Sequence, residues 1–415
     1  MHQTDIEFLL SREGQTLLDR LEGLADDSSS VQLISRLRGE GYSPEQVSAA
    51  LSQAKLRSKA GTKFRSLDAT ATPIEPFEIP LLTAAGLEQA TRWPVAARHA
   101  ARYVDAGIQS VIDLGCGIGA NSLAFARAGR TVTAVELDHI TARVAAYNLA
   151  SYPSARVITG NAEQADLSGV EGAFLDPARR TSGQSNTKRI TDPNDYSPNL
   201  NFAFDLAEKL PTGIKLGPGL DRDLIPDNVE AQWVSVGGHV VEMGLWSGAL
   251  ARPNIGRSAL VARPNRRADD GFDWHELNAK TDSADVDVRE LGEYLYEPDG
   301  AVIRARLIGD LARSLGREAG AGMIDEHIAY LTTDASVDTP FAAGFRVREV
   351  LPFREKELKS ALRARDIGTL EIKKRGIDVD PAQLRKKLSL KGKSSATLII
   401  VRTDAGRMAL LADRL

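Results

Sequence analysis

Apolar residues recur at helical spacing near the start of the chain and in short unbroken runs beyond residue 110, and these two patterns divide it. Residues 1–60 read as helical: Val47, Ala50, Leu51 and Ala54 fall on one face. The helix start is Ser43-Pro44-Glu45-Gln46, with Ser43 as the cap, proline at the first helical position and Gln46 at the reciprocal position of a capping box. A Pro-containing stretch, 68–80, reads as an extended link, and a second helical segment runs from Gly86 to about Tyr103.

Val111 to Asn121, V-I-D-L-G-C-G-I-G-A-N, reads as a buried parallel strand running into a glycine-rich turn and a helix over 119–129. Strands over 131–135, 155–159 and 172–175 follow. They end at Glu136, at Gly160-Asn161-Ala162 and at Asp176-Pro177-Ala178-Arg179, so four strand ends point at one crevice. The segment from Arg179 to Asn199 is polar and aperiodic, a loop length that in a compact domain is functional or disordered. Helix 201–209, strand 213–217, a short helix after Pro218-Gly219, and strands 230–236, 239–246 and 257–263 continue an alternating α/β order, with Gly237-Gly238 as an antiparallel turn. Residues 265–290 read as an acidic linker or surface insertion, and Tyr294 to Pro298 as the opening of a helical segment, 300–316. The last part has an order of its own: strand 345–350, helix 354–365, strand 368–373, helix 381–389 capped by Asp380 with Gln383, strand 396–402, a turn at 404–406 and strand 407–411.

Composition adds that one core is not enough: 415 residues, 42% apolar and 26% charged, imply two or three domains. The expected division is an N-terminal helical region with its link (1–80), an α/β domain (81–264), a linker and helical segment (265–340) and a small α+β domain (341–415). The single cysteine, Cys116, excludes an internal disulfide and reads as a small side chain in a tight turn. Six histidines without paired spacing predict no metal. No run approaches the ~18–20 apolar residues of a membrane span and no basic-then-apolar leader opens the chain, so a cytoplasmic protein is expected. The net charge of −4 hides an asymmetry: residues 341–415 hold 18 Lys+Arg against 9 Asp+Glu, a local +9 on a body of −13. Such a tail points to a polyanion. Its cationic cluster is Lys373-Lys374-Arg375, Arg385-Lys386-Lys387, Lys391 and Lys393, with Gly376 and Gly392 at turns.

The crevice suggests a nucleotide-like cofactor. Gly115, Gly117 and Gly119 allow close approach of backbone to ligand and present N–H groups at a helix start. Glu136, about twenty residues on, is placed to hold two ribose hydroxyls. Asp113, inside the first strand, argues against a dinucleotide, because a carboxylate is a liability beside a pyrophosphate and an asset beside a cationic amino-acid moiety.

With these motifs the chain resembles the class I S-adenosylmethionine (SAM) methyltransferases: D-L-G-C-G-I-G as motif I, Glu136 as motif II, Asn161-Ala162 as the adenine loop and D-P-A-R as motif IV. Within them C-G-I-G-A-N-S-L-A-F-A is similar to the RNA cap guanine-N2 (trimethylguanosine synthase-type) enzymes. The C-terminal element order and I-K-K-R-G resemble the THUMP-like module, whose relatives recognise structured RNA. The resemblance implies a doubly wound, Rossmann-like, seven-stranded α/β sheet with SAM held by Asp113, Gly115, Gly117, Asn121, Glu136, Asn161 and Ala162. It implies catalysis by Asp176, Pro177 and Arg179, and RNA, tRNA or rRNA, held by Lys373, Lys374, Arg375, Arg385, Lys386 and Lys387. The motif departs from Asp/Asn-Pro-Pro-aromatic: Asp176-Pro177-Ala178-Arg179-Arg180 lacks the aromatic platform, leaving the two arginines to grip phosphate or stack on a base. Trp93, Tyr196 and Trp246 are substitute platforms or simply core. A base nitrogen is expected as acceptor, since a ribose hydroxyl calls for a general base such as lysine and none follows motif IV until Lys188. A SAM methyltransferase acting on a small molecule or protein, and a non-catalytic RNA-binding protein, stay open as alternatives, as does the oligomeric state.

Overall fold

The computed structural model describes residues 3–21, 31–64, 81–179, 195–316, 320–404 and 406–415. The expected link at 68–80, and Arg180 and Lys188 within the aperiodic segment, lie outside the described residues. The chain forms two compact units, one of Met1–Glu230, Met243–Arg252 and Pro264–Asp273, the other of Ala231–Glu242, Pro253–Arg263 and Trp274–Leu415.

The first unit opens with helices α1 (Gln3–Leu10), α2 (Arg12–Leu21), α3 (Val31–Gly39) and α4 (Pro44–Phe64). The capping box forms as read: Ser43 Oγ accepts from Gln46 N at 3.3 Å and Gln46 Oε1 from Ser43 N at 2.8 Å. Ile6, Leu9, Leu17, Leu37 and Ala50 are buried between these helices. The second helical segment is two helices, α5 (Ala84–Gln89) and α6 (Trp93–Asp105), because Pro94 at the start of α6 cannot continue the helix before it.

Strands β1 (Ser110–Leu114), β2 (Thr131–Glu136), β3 (Ala155–Thr159) and β4 (Gly172–Leu175) alternate with α7 (Ala120–Arg127) and α8 (His139–Asn148). A two-residue ribbon, β5 (Ala178–Arg179) with β6 (Tyr196–Ser197), precedes α9 (Leu200–Ala207) and β7 (Thr212–Leu216). Parallel pairing in the order β7-β4-β1-β2-β3 puts the reversal of winding between β1 and β4, where an open α/β sheet opens its crevice. β8 (Glu230–Val236) and β9 (His239–Trp246) follow, and the end of β9 pairs antiparallel with β7, Met243 opposite Leu216.

The scaffold is tied by one buried charge. Glu230 is 0% exposed and accepts two bonds from Arg102 of α6, at 2.8 and 2.9 Å, and further bonds from Arg252, at 2.5 Å from Nη2 and 3.0 Å from the backbone N–H. Arg102 also lies over the Trp246 ring, 4.5 Å from its centroid.

In the second unit Gly237 and Gly238, with φ of 59° and 83°, turn β8 into β9, and β10 (Arg257–Pro264) pairs parallel with β8. Phe272–Ala279, whose first two residues belong to the first unit, is strand β11, where the sequence predicts a linker or surface insertion. Tyr294–Pro298 is strand β12 and not the opening of a helix: Tyr294, Leu295 and Tyr296 pair on both sides, and Asp299 restarts the chain as the cap of α10 (Gly300–Arg304), accepting from Ala301 N at 2.9 Å. Arg306, at φ 59°, separates α10 from α11 (Ile308–Ser314). Strands β13 (Gly322–Asp325) and β14 (Ile328–Thr333) follow, with no strand expected there. They join β15 (Ala342–Leu351), β16 (Ile367–Arg375), β17 (Ser394–Thr403) and β18 (Gly406–Arg414) in a seven-stranded sheet ordered β13-β14-β12-β15-β18-β17-β16. Helices α12 (Glu355–Ala364) and α13 (Pro381–Leu388) cover one face through Leu358, Leu362 and Leu388 against Leu398 and Ile400. Ile399 and Val401 point to the opposite face with Tyr330 and Phe345. No described helix is long and apolar enough to cross a membrane.

Burial alone would raise the Glu230 carboxyl pKa, but the bonds from Arg102 and Arg252 outweigh it and hold it below the ordinary value. A depressed carboxyl contributes stability that is present above its unfolded value and is lost as pH falls through the folded one. Glu230→Ala is expected to cost about 3 kcal/mol, since it takes the partner from the nearly buried Arg102 guanidinium and from the half-buried Arg252, and to flatten the acid limb of a pH series of urea melts below about pH 4.

Candidate functional site

A cavity of about 830 Å³ opens at the ends of β1, β2, β3 and β4. Its floor is the turn 115–119, where Gly115, Gly117 and Gly119 have φ of 89°, 56° and 87°, a sequence of left-handed residues that only glycine makes without strain. Space is open where a Gly117 Cβ would stand, and Gly117 itself lines the cavity. The N–H of Gly117 donates to Glu136 Oε2 at 2.9 Å, and Asp138 N donates to the other oxygen at 3.0 Å, so the carboxylate bridges the ends of β1 and β2.

Of the residues read from the sequence, Gly115, Gly117, Asn121, Glu136, Asn161, Ala162 and Asp176 line this cavity together. Asp113 does not line it. Its carboxyl lies behind the glycine turn, 1% exposed, with Oδ2 held by Ser122 Oγ at 2.5 Å and Oδ1 without a hydrogen-bond partner. Burial, with Asp176 and Glu136 nearby, pushes its pKa up to about 7 against the pull of the Ser122 bond. Asn121 spends its amide on the scaffold, Oδ1 against His99 Nδ1 and Nδ2 to Thr91 Oγ1, each at 3.0 Å. Asn161 caps the turn after β3, accepting from Glu163 N at 3.0 Å. Cys116 is a free thiol whose pKa burial and the Asp113 and Glu136 carboxylates drive upward, as befits a small turn residue and not a nucleophile.

Asp176 ends β4 at the cavity rim, with Pro177 buried behind it. Its Oδ2 forms an ion pair with Lys215 of β7. Sequence reasoning missed Lys215 altogether, because it lies 39 residues away in a strand whose register alone brings it opposite the motif. The argument from an absent lysine is corrected accordingly: a lysine is present, paired with Asp176 at the cavity. Lys63 of α4 lies in the same field: burial, with Lys215 and Arg92 near, lowers its pKa to about 8. Leu137, also missed, is 65% exposed and lines the cavity beside Glu136. Arg179 stands in β5, its backbone paired with Tyr196. Tyr196 and Trp246 are buried in the core, Trp93 lies under Arg127, and none of the three lines the cavity, whose described lining contains no aromatic ring.

The tail cations divide. Lys373 pairs with Glu297 at 2.6 Å and lies 5.7 Å from the Phe345 ring centroid, and Arg375 lies 5.2 Å over Tyr330, so both serve their own sheet. Lys374, Arg385, Lys386 and Lys387 are exposed, with Arg385 Nε also donating to Leu370 O at 3.1 Å and Lys387 3.3 Å from Glu355.

A parallel sheet closed by an antiparallel strand, with a glycine turn, an acid ending β2 and a cavity at the switch point, defines a methyltransferase of the doubly wound class. Over 332 residues the chain is 31% identical to uncharacterised S-adenosylmethionine-dependent methyltransferases of two Mycobacterium tuberculosis strains, CDC 1551 / Oshkosh and ATCC 25618 / H37Rv, covering 79% of this chain and 86% of each relative. The protein belongs to the S-adenosylmethionine-dependent methyltransferases. The fold of a candidate methyltransferase from Porphyromonas gingivalis W83 matches with a TM-score of 0.65 at 20% identity, over 90% of this chain and 92% of that one. Residues 342–414 match the THUMP domain-like family, and residues 2–60 match a domain of unknown function (DUF8688).

The residues present fit SAM: an unpartnered buried carboxylate oxygen at Asp113, open space above Gly117 and an exposed apolar Leu137 beside the Glu136 carboxylate. Among the described residues no cluster of His, Cys, Asp or Glu could hold a metal ion.

The Asp113 carboxyl yields a paired test. Its folded pKa of about 7 stands above the ordinary 3.8, so burying it costs stability progressively as pH rises from 3.8 to about 7, on the order of 4 kcal/mol when the shift is complete. Asp113→Asn is expected to raise the melting temperature of the SAM-free protein at pH 8 and not at pH 4, while weakening SAM binding. Differential scanning fluorimetry with and without SAM reads both.

Proposed function

We propose that this methyltransferase acts on a base nitrogen of structured RNA, tRNA or rRNA, held by the basic C-terminal domain. The observation that carries this reading is the Asp176–Lys215 ion pair at the cavity rim: a carboxylate oriented where an acceptor must enter. SAM supplies a sulfonium methyl that is already electrophilic. The protein's part is alignment and water exclusion, worth up to ~7–11 kcal/mol of barrier.

In this reading the Gly115 and Gly117 backbone admits the cofactor closely, Glu136 takes the ribose hydroxyls, and Asn161, Ala162 and Leu137 surround the adenine. Asp113 balances the cationic amino-acid end through the turn. Asn121 acts indirectly, holding α7 against His99 and Thr91. Asp176 accepts hydrogen bonds from the exocyclic amine, which relieves delocalisation of its lone pair, and takes the proton released on methylation; Lys215 fixes the carboxylate. The backbone at Pro177 supplies a second acceptor, and Arg179 meets phosphate or a base face. Lys374, Arg385, Lys386 and Lys387 give the C-terminal domain a solvated cationic surface of the kind that neutralises phosphates.

Total RNA from a strain lacking the gene, incubated with protein and methyl-labelled SAM, is expected to accept label that wild-type RNA does not, with mass spectrometry placing it on a base nitrogen. Asp176→Asn should lower transfer at least ~10²-fold and leave SAM affinity within a few-fold. Label in protein or a metabolite, and never in RNA, would overturn the reading.

A second test concerns docking. Reversing Lys374, Lys386 and Lys387 to Glu should weaken RNA binding and reduce the slope of log K against log salt by about 2–3. Lys373→Met, which breaks the pair with Glu297, should instead lower the melting temperature and leave the slope nearly unchanged.

A further inference from the structure

One wall of the SAM cavity belongs to no strand or sheet helix. It is the segment 81–91, of which Thr83, Ala85, Gly86, Gln89, Ala90 and Thr91 line the cavity. Its packing against the glycine turn is close: a Cβ on Gly86 would stand 2.3 Å from Ile118 Cγ2. Three side chains hold it. Gln53, midway along α4 and 0% exposed, grips both sides of one residue, donating Nε2 to Leu82 O at 2.5 Å and accepting at Oε1 from Leu82 N at 3.1 Å. Asn148, at the end of α8, does the same to Leu81, with both bonds at 3.0 Å, and its Nδ2 also donates to Ile118 O of the turn at 2.9 Å. Lys63, near the end of α4, donates Nζ to the carbonyls of Leu87 and Glu88, each at 2.6 Å, closing the C-terminal end of α5.

Two of these three ties come from α4. An apolar residue at position 53 would bury as well and would leave the wall free to slide; an amide matched to one residue's N–H and C=O sets its register. Neither Gln53 nor Lys63 lines the cavity. We propose that the N-terminal helical region is part of the cofactor site: through Gln53 and Lys63, α4 fixes segment 81–91 as a wall of the SAM cavity, and SAM affinity depends on these two positioning residues.

Loss of the Gln53 ties leaves a buried N–H and C=O unsatisfied, so Gln53→Leu is expected to raise the SAM Kd about ten- to a hundredfold. Lys63→Met should raise it less, by several-fold. The full-length protein is titrated with SAM by calorimetry, and amide exchange is followed across 81–91 and across β1 and β2. The expected result is a weaker Kd with faster exchange confined to 81–91 in both variants. Leu17→Ala serves as a control, because it opens the core of the N-terminal helices from α2 and leaves the Gln53 and Lys63 hydrogen bonds to the wall in place; it should lower the melting temperature and leave the Kd of the folded protein at its wild-type value. Should Gln53→Leu not fold, Lys63→Met, only half-buried, decides the matter. A Kd within twofold of wild type in the variants that fold, or a Leu17→Ala Kd raised as far as theirs, would overturn the proposal.

Discussion

The turn from β1 into α7 is the constraint from which the rest of the site follows. Three glycines with φ between 56° and 89°, at alternate positions, reverse the chain within five residues and leave open space above Gly117. Any Cβ there would both strain the backbone and stand in that space. With the turn made, the Gly117 N–H reaches Glu136, and that bond adds to the ladder and to the Gly115 and Cys116 N–H bonds to Val135 O that set the end of β2 beside the end of β1. The α7 N-terminus, the Asn161 turn and the rim at Asp176 then face a common cavity because parallel strands end at the same level.

Polar groups without water pull in opposite directions in the two parts of the first unit. At Glu230 two arginines answer the buried carboxylate, and the cluster stabilises the fold. At Asp113 one oxygen is answered by Ser122 and the other by nothing, so the ionised carboxylate destabilises the protein as it stands. The cost comes from its surroundings, since β1 beyond Ser110 and the whole of β4 beside it are buried. In the proposed reading this charge is what the cationic end of the cofactor answers.

Charge in the C-terminal domain is likewise divided between fold and surface. β16 alternates, and its cations go where the alternation sends them: Lys373 and Arg375 turn to Glu297, Phe345 and Tyr330 on one face, while Lys374 is exposed. A run of three basic residues is therefore two structural contacts and one solvated charge. The solvated set lies with Lys386 and Lys387 on α13, whose buried residue is Leu388.

Local pattern alone determined the elements whose period and punctuation agree: the glycine turn with its flanking strands, the Ser43 and Asp380 caps, and β16, α13, β17 and β18 with ends close to those expected. It also named seven of the residues that line the cavity, because alternating glycines and an acid at a strand end are chemical requirements written within about twenty residues of one another. What pattern could not supply was partnership across distance. Tyr294–Pro298 is too short to be told from a helix start until β14 and β15 pair on either side of it. Lys215 carries no motif, and meets Asp176 only through the register of β7 on β4. Gln53 looks like one polar residue on an amphipathic helix until Leu82 is brought against it. A sequence records what each residue prefers locally; which buried donor meets which acceptor is decided by packing, because only the folded chain excludes the water that would otherwise satisfy them both.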